Sequence, residues 1–354
     1  MIGLVNSLIP VVVKLLITGP GWLSVAIRVV IYGLGPIGQL IAKVALERGF
    51  DVVGAIDIDP QKVGKDLGEL LGLGKTLGIK VESDADRVLR DSDPDVVLHA
   101  TGSFFDRVYP QIMKAIRVGA DVVSTCETLA WPWYRYPELA ELVDNYARNY
   151  GSTVLGAGVN PGFVFDALPA VLSTTLTRLE KVVVVRSLDA AKRRYSFQKK
   201  IGLGMTPTQF REALSRGEIT AHVGFAESVL LMASIMGLRL DRVEEGQDAI
   251  IADRHYETQY FRIEEGQVRG VVGYGSGFVG DKEVIRVELR ACVACEDYEE
   301  VRLVGEPTIT WRSTGTPGDP ATAAVVVNLA PRVLNARPGL ITLRDLINYS
   351  YSYT

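Results

Sequence analysis

The chain of 354 residues has only three cysteines and three histidines, and its net charge of −4 leaves neither sign dominant. Each scarcity removes a class of protein. Three cysteines cannot build a disulfide framework, which fits a reducing, cytoplasmic setting. Cys292 and Cys295 form a Cys-x-x-Cys, but they lie in the alternating run Val287, Leu289, Ala291, Val293. No second pair completes a zinc site, so no metal is expected. A nearly balanced charge gives no general attraction to nucleic acid or to a membrane. Long apolar runs are missing too. The most apolar stretch, residues 1–26, is interrupted by Pro10, Lys14 and Pro20, which argues against a membrane span. It also lacks the basic start and small-residue cleavage pattern of a secretory signal. The simplest reading of this extension is a translation start placed too far upstream, with Val25 as the first residue. The alternative is an extra helix that packs on the domain or mediates association.

What is present is an ordinary globular composition, 47% hydrophobic and 23% charged, long enough for about two domains. The most informative segment is Val29-Val30-Ile31-Tyr32 running straight into Gly33-Leu34-Gly35-Pro36-Ile37-Gly38. An apolar helical pattern follows at Ile37, Leu40, Ile41, Val44 and Ala45. In this Gly-x-Gly-x-x-Gly pattern, Gly33 permits the tight turn and Gly35 lets backbone approach a pyrophosphate. Gly38 lets the helix pack close on the strand. The helix N-terminus, at Pro36 and Ile37, offers N–H groups and a positive dipole end to phosphates. A second strand, Asp51–Ile56, ends in Asp57, 24 residues after Gly33. A carboxylate there accepts hydrogen bonds from the adenosine ribose and repels a 2′-phosphate. The implied cofactor is a nicotinamide dinucleotide, NAD in preference to NADP.

From residue 27 to 158, strand signals (28–32, 51–57, 79–81, 95–100, 121–125, 153–155) alternate with helical ones, including 104–118 and 138–150. Such alternation makes an α/β domain with a doubly wound, Rossmann-type parallel sheet, whose ligands bind beyond the carboxyl ends of the strands. Thr101-Gly102-Ser103, Ser124 to Glu127 and Gly156 to Gly162 should therefore join the glycine turn and Asp57 at one cleft. Thr101, Gly102, Ser124 and Asn160 are candidate cofactor contacts. Residues 159–319 read as an α+β substrate and oligomerisation domain on a largely antiparallel open sheet. Its strands are expected near 182–186, 249–252, 258–263, 268–274, 283–293, 300–303 and 308–311. The outer face of that sheet suits a homodimer or homotetramer. Residues 320–354 read as a helix, to about Asn335, and a tail packing back toward the first domain.

Several groups could carry chemistry. The loop Gly156 to Asp166 joins the domains at a strand end, and Asn160 in it is a ready hydrogen-bonding group. Glu127 and Asp166 suit an ammonium group, though each could be an ordinary cap or surface carboxylate. Five of the nine residues from Lys192 to Lys200 are basic. Gly202 and Gly204 then lead to Thr206, a capping-box helix start with Pro207 and Gln209. Basic side chains beside a glycine turn and a helix N-terminus make a carboxylate trap, drawing on Arg193, Arg194, Gly204 and Thr206; a solvated basic loop is the plainer alternative. Of the histidines, His255 reads as surface and His99 as a core or cofactor-edge group. His222 is a candidate base in a loop before a helix, with core packing nearly as good an account.

These motifs resemble the dihydrodipicolinate reductase-like superfamily, and more narrowly the 2,4-diaminopentanoate dehydrogenases and the amino-acid dehydrogenases grouped with them. The similarity runs from Arg28 to Leu346. It rests on Tyr32-Gly-Leu-Gly-Pro-Ile-Gly, Asp57-Ile-Asp-Pro, Val63-Gly-Lys-Asp-Leu-Gly, Ser124-Thr-Cys-Glu and Gly158-Val-Asn-Pro-Gly-Phe. Lys199-Lys-Ile-Gly, His222-Val-Gly-Phe-Ala-Glu-Ser, Gly318-Asp-Pro-Ala-Thr-Ala-Ala and Pro338-Gly-Leu complete it. The His-His pair of dihydrodipicolinate reductases proper is missing, which argues against that substrate. The resemblance implies NAD(P)-dependent oxidative deamination of a small amino or diamino acid. His222, Lys199 or Lys200 would be the base, Arg193 or Arg194 would hold the carboxylate, and Glu127 or Asp166 the second ammonium. The competing readings are reduction of a cyclic imine or semialdehyde, and a non-catalytic dinucleotide sensor.

Overall fold

The computed structural model describes residues 26–353, so the questions raised by the apolar N-terminal stretch lie outside the described residues. The strands, numbered in chain order, begin with β1 (Arg28–Tyr32), β2 (Asp51–Ile56), β3 (Val81–Glu82), β4 (Val96–His99), β5 (Asp121–Ser124) and β6 (Thr153–Gly156). There follow β7 (Arg178–Asp189), β8 (Arg242–Ile251), β9 (Tyr256–Glu257), β10 (Arg262–Ile263) and β11 (Val268–Val279). The last are β12 (Lys282–Cys292), β13 (Tyr298–Glu306), β14 (Ile309–Ser313) and β15 (Gly339–Ile341).

The first sheet has the order β3-β2-β1-β4-β5-β6-β15, and every pairing in it is parallel. Its strands are buried on both faces, which is why they read as continuous Val/Ile runs. Val29 and Ile31 pack toward Ile41 and Val326, while Val30 and Tyr32 pack toward Val88, Ile112 and Val143. The helices Pro36–Glu47 and Gly318–Val333 thus cover one face, and Ala85–Ser92, Phe105–Arg117 and Pro137–Tyr150 the other. This is the expected doubly wound sheet, with its switch point at β1, between β2 and β4. β15 was not foreseen. Three residues carry too little pattern to read, yet Gly339 to Ile341 pair with Thr153 to Leu155 and extend the sheet beyond β6.

The second sheet runs β14-β13-β7-β12-β11-β8; β7 and β12 are parallel and the other pairs antiparallel. The expectation of a largely antiparallel sheet holds. β11 runs five residues past the expected end at Tyr274, where its glycines serve packing: a Cβ on Gly277 would lie 2.7 Å from the Leu240 side chain and 2.9 Å from that of Val229. The helix Phe225–Ile235 rests on that smooth strand. The single strand expected over 258–263 is instead the β9–β10 hairpin, whose turn is tied by Tyr260 and Phe261 N–H groups donating to the Thr258 hydroxyl.

One feature of the cysteines was not foreseen. Cys292 and Cys295 are joined in a disulfide, because β12 ends at Cys292 and Ala294 turns the chain with φ 60°, which brings the two Cα atoms to 5.3 Å. The bridge closes a local turn rather than tying distant segments; Cys126 is free and buried. No helix among the described residues is long and apolar enough to cross a membrane.

The seat of the first helix on β1 is tight enough to test. A Cβ on Gly38 would fall 1.8 Å from the Gly33 carbonyl oxygen, a backbone atom that cannot swing aside. Gly38→Ala is expected to cost about 1–3 kcal/mol of stability, read as a lowered urea midpoint at constant m-value; an unchanged midpoint contradicts the close helix–strand contact.

Candidate active site

The carboxyl ends of β1, β2 and β4 form the first half of the site. Gly33 takes φ +92°, and a Cβ there would meet the Ala100 carbonyl oxygen at 2.5 Å. At Gly35, by contrast, a Cβ would have nothing within 4 Å, so the space over the turn is open. The helix beginning at Pro36 has no side-chain cap, which leaves its N-terminus available to an anion. Asp57 Oδ2 accepts from Leu34 N–H at 2.7 Å and from Lys62 Nζ at 3.2 Å, and Oδ1 accepts from Asp59 N–H at 2.9 Å. Burial opposes ionisation of Asp57, but the two N–H donors and Lys62 outweigh it and hold the carboxyl below its usual range. Next to it Ile58 is 83% exposed, an apolar surface beside the Asp57 carboxylate that the sequence reading missed. An open glycine turn, an uncapped helix end, a low-lying carboxylate and an exposed apolar side chain together fit a dinucleotide.

Two expected cofactor contacts are otherwise engaged. The Ser124 hydroxyl is fully buried, 2.8 Å from His99 Nδ1. The Thr101 hydroxyl donates to Gln111 Oε1 at 2.6 Å and lies 2.9 Å from His99 Nε2. Burial pushes His99 down to about 4, against the Gln111 hydrogen bond, so the ring is a neutral core group. The hydroxyls serve the β4–β5 interior; Gly102 and Ile37, however, line the cleft.

The second half is a cavity of about 350 Å³ between the two sheets, where Glu127, Asn160, Arg186, Arg193, Arg194, Lys200, His222 and Asp319 come together. A larger hollow of about 860 Å³, with Leu168, Val171, Leu329 and Leu346 in its walls, holds none of the candidate residues. Arg194 is ion-paired to Asp319, while Arg193 lies with its guanidinium 5.7 Å above the Phe197 ring. Among the described residues neither Arg193, Lys200 nor Glu127 has a salt-bridge partner.

His222 is wedged against the Phe225 ring at 4.5 Å and the Phe165 ring at 6.2 Å. Its Nε2 is shut off from solvent and has no hydrogen-bond partner. Burial first, then Lys200 and Arg186, push its pKa down to about 3, so it is neutral at physiological pH. Sequence reasoning also missed Arg186, although a lone arginine after Val182-Val-Val-Val185 was a visible signal. It is almost wholly buried, with Nη2 donating to the Thr316 carbonyl at 2.7 Å and Nε 3.3 Å from Glu299. With the Asn160 carboxamide oriented to satisfy both of its ends, its oxygen accepts from Arg186 Nη1 at 3.1 Å.

Other expected residues lie elsewhere. Asp166 is fully buried and accepts from the N–H groups of Gly162 and Ala167 and from the Ser228 hydroxyl, so it clamps the interdomain loop instead of facing a ligand. Burial pushes its carboxyl up to about 6. The trap expected at Gly204 and Thr206 does not form at the cleft. Thr206 and Gln209 satisfy each other in a complete capping box, and Gly204 N–H donates to the Val268 carbonyl. Lys199 is exposed and does not line the cavity, whereas Lys200 does.

An open glycine turn at the switch point of a parallel sheet, with a charged cleft between it and a second sheet, is the layout of a dinucleotide-dependent oxidoreductase, and this chain is of that class. More narrowly, it belongs to the 2,4-diaminopentanoate dehydrogenase family: residues 163–350 match that family's C-terminal domain, and residues 27–125 match the N-terminal domain of dihydrodipicolinate reductase. It is 28% identical to 2,4-diaminopentanoate dehydrogenase of Acetoanaerobium sticklandii, over 90% of this chain and 93% of that one. It is also 28% identical to an amine dehydrogenase of Streptomyces virginiae, over 66% of each. Among solved structures it superimposes on amine dehydrogenase from Mycobacterium smegmatis with a TM-score of 0.83 and 27% identity, covering 93% of this chain and 99% of that one. The resemblance expected from the motifs is borne out.

Two measurements check this geometry. Gly35→Ala, for which there is room, is expected to leave the melting temperature in place while weakening dinucleotide binding by about tenfold or more, ~1.4 kcal/mol; a parallel loss of both contradicts the open turn. Separately, His99 and His222 stay neutral in the fold at about 4 and about 3, whereas an unfolded histidine protonates below about pH 6.5. Stability should therefore fall as pH drops from about 6.5 toward 4, by up to ~1.4 kcal/mol per pH unit for each ring. Asp166, raised to about 6, opposes this between about pH 4 and 6. Denaturant titrations of His222→Asn should show a slope shallower by about one proton; the wild-type slope in the variant contradicts a neutral buried ring.

Proposed function

We propose that the protein catalyses NAD(P)-dependent oxidative deamination of a small amino or diamino acid, with NAD preferred to NADP. The observation that carries this is that one cavity is lined both by a carboxylate, Glu127, and by two cations, Arg193 and Lys200, none of which has a salt-bridge partner among the described residues. An amino acid is the complementary object, an amine and a carboxylate a few bonds apart. The named activities of the relatives, 2,4-diaminopentanoate and amine dehydrogenation, point the same way. The reading includes the division of the chain into residues 27–158, 159–319 and 320–354, a cytoplasmic setting, and a homodimer or homotetramer through the open sheet.

A bound dinucleotide supplies the hydride acceptor. The Gly33–Gly38 turn and the following helix end would hold its phosphates, and Asp57 its ribose. Arg193 and Lys200 bind the substrate carboxylate, while Asp319 keeps Arg194 engaged. Glu127 receives the substrate ammonium and takes the proton that the amine must lose before hydride can leave its carbon. His222 fits a hydrogen-bonding role better than that of the base, because burial and two nearby cations oppose its protonation. Water adds to the resulting imine and ammonia is released.

The test is a panel of amino and diamino acids with NAD+ and NADP+, read as appearance of reduced cofactor. Glu127→Gln is expected to lower kcat/KM by about 100-fold or more while dinucleotide affinity holds; full activity in that variant removes Glu127 from the mechanism. Asp57→Ala should weaken NAD far more than NADP, and equal losses would sink the cofactor preference.

A further inference from the structure

Two of the three cysteines form a bridge that encloses only Val293 and Ala294. Closing so short a loop removes little chain entropy, so the bridge adds little as a staple. Its setting favours exchange instead. Cys292 is buried, whereas Cys295 is half-buried at the surface, so one sulfur is open to an attacking thiolate. Arg269 Nη1 lies 3.4 Å from Cys292 Sγ and also donates to the Val293 carbonyl at 2.8 Å. Its guanidinium lies 5.3 Å from the Tyr256 ring and has no salt-bridge partner among the described residues. The Nε of that guanidinium is buried without a hydrogen-bond partner. A guanidinium beside a sulfur stabilises the thiolate, which makes Cys292 the better leaving group.

The same turn holds the loop that carries Arg193. Ala294 takes φ 60°, a conformation that residues with a side chain seldom adopt, and its N–H donates to Asp189 Oδ1 at 3.1 Å. That oxygen also accepts from Ala191 N–H at 3.0 Å. Asp297, two residues past the bridge, accepts from Asp189 N–H at 2.8 Å and from Lys192 Nζ at 2.6 Å. Arg193 comes next in the chain. It lines both the cleft and a cavity of about 220 Å³ on the side of Asp189 and Asp297.

We infer that Cys292 and Cys295 form a thiol–disulfide exchange site whose partner is a dithiol reductant, and that the oxidised bridge fixes Arg193 for the substrate carboxylate. The inference rests on the amino-acid dehydrogenase reading for the role of Arg193 and adds redox control to it. A thiolate of the dithiol attacks Cys295 Sγ; the S–S bond breaks, and Cys292 leaves as a thiolate beside Arg269. The second sulfur of the reductant, also as thiolate, attacks the mixed disulfide, and Cys295 leaves and is protonated. Two electrons have passed to the protein and the dithiol has become a disulfide. Of its two protons, one ends on Cys295 and the other in solvent. Without the bridge Ala294 relaxes, its hydrogen bond to Asp189 is lost, and the turn from Ala190 to Arg193 loosens.

The test treats the folded full chain with dithiothreitol and removes the reagent without air before assay. Alkylation in denaturant should then count three thiols, against the single Cys126 before treatment. The reduced protein should show a KM for the amino acid raised about threefold or more, with kcat and dinucleotide affinity unchanged. Amide hydrogen exchange in residues 189–194 should quicken, and excess glutathione disulfide should restore both readouts. The double variant Cys292→Ser, Cys295→Ser should behave as the reduced protein and ignore the reagent. Arg269→Gln should slow reduction about threefold or more. A bridge that stays oxidised under excess dithiothreitol, or a reduction that moves neither KM nor exchange in 189–194, overturns the inference. If exchange responds but no amine is turned over in either state, the deamination reading fails and the exchange site stands.

Discussion

The arrangement depends on one buried charge. Arg186 is 3% exposed, in the middle of the second sheet where it meets the first domain. Removing a guanidinium from water is repaid only when every part of it is engaged, and breaking such a pair by deleting one partner costs about 3–5 kcal/mol. Here each part has a partner: Glu299 on β13 at Nε, the Thr316 carbonyl at one terminal nitrogen and the Asn160 carboxamide at the other. Glu299 is itself held by the N–H and hydroxyl of Thr316 and by the Ser313 hydroxyl. Burial lowers the guanidinium to about 10, so it stays charged at neutral pH. The interdomain loop, the β13–β7 pair and the segment leading to the helix Gly318–Val333 must therefore be in place together.

That requirement makes the loop from Gly156 to Asp166 a fixed wall. Asn160 is tethered by Arg186 at one end of the loop, and Asp166 ties Gly162, Ala167 and Ser228 at the other. Between these anchors Pro161 packs against Gly224 too closely for any side chain there. The cleft is consequently shaped before a ligand arrives, and the groups facing it do not have to be gathered by binding. Preorganised polar groups of this kind cost no rearrangement when charge develops on a reacting molecule.

The dinucleotide half was legible in the sequence because its signals are local. Each glycine between Gly33 and Gly38 answers a separate steric demand within one turn, and Asp57 follows at the end of the next strand. The parallel sheet was equally plain, since strands buried on both faces read as unbroken Val/Ile runs. The cleft was only partly legible, because Glu127, Arg193, Lys200, His222 and Asp319 meet only once the second domain folds over the first. Local signals also misled there. Thr206 and Gln209 were correctly read as a capping box, but a box that satisfies both of its own ends has nothing left for a carboxylate. Lys199 and Lys200 are neighbours on one short helix, where successive residues point about 100° apart, and sequence cannot choose between them.

Charge pairing decides which cations of the basic loop can act. Lys192 is taken up by Asp297, Arg194 by Asp319, and Lys199 faces solvent. The pairs are worth little as stability, since exposed ion pairs contribute about 0–1 kcal/mol. Their consequence is selection: Arg193 and Lys200 remain, against a single carboxylate at Glu127. Counting only these, and with His222 neutral, the cavity holds one net positive charge. A zwitterionic amino acid has none to match it, whereas the same molecule with a neutral amine has one negative charge. In the proposed reaction the two cations thus favour the deprotonated, reactive form of the substrate, and Glu127 stands where its proton can go. A protonated His222 would add a third cation at the same wall and repel the incoming ammonium. Burial of that ring among phenylalanines, which looks like a packing detail, therefore keeps the cleft able to admit an amine.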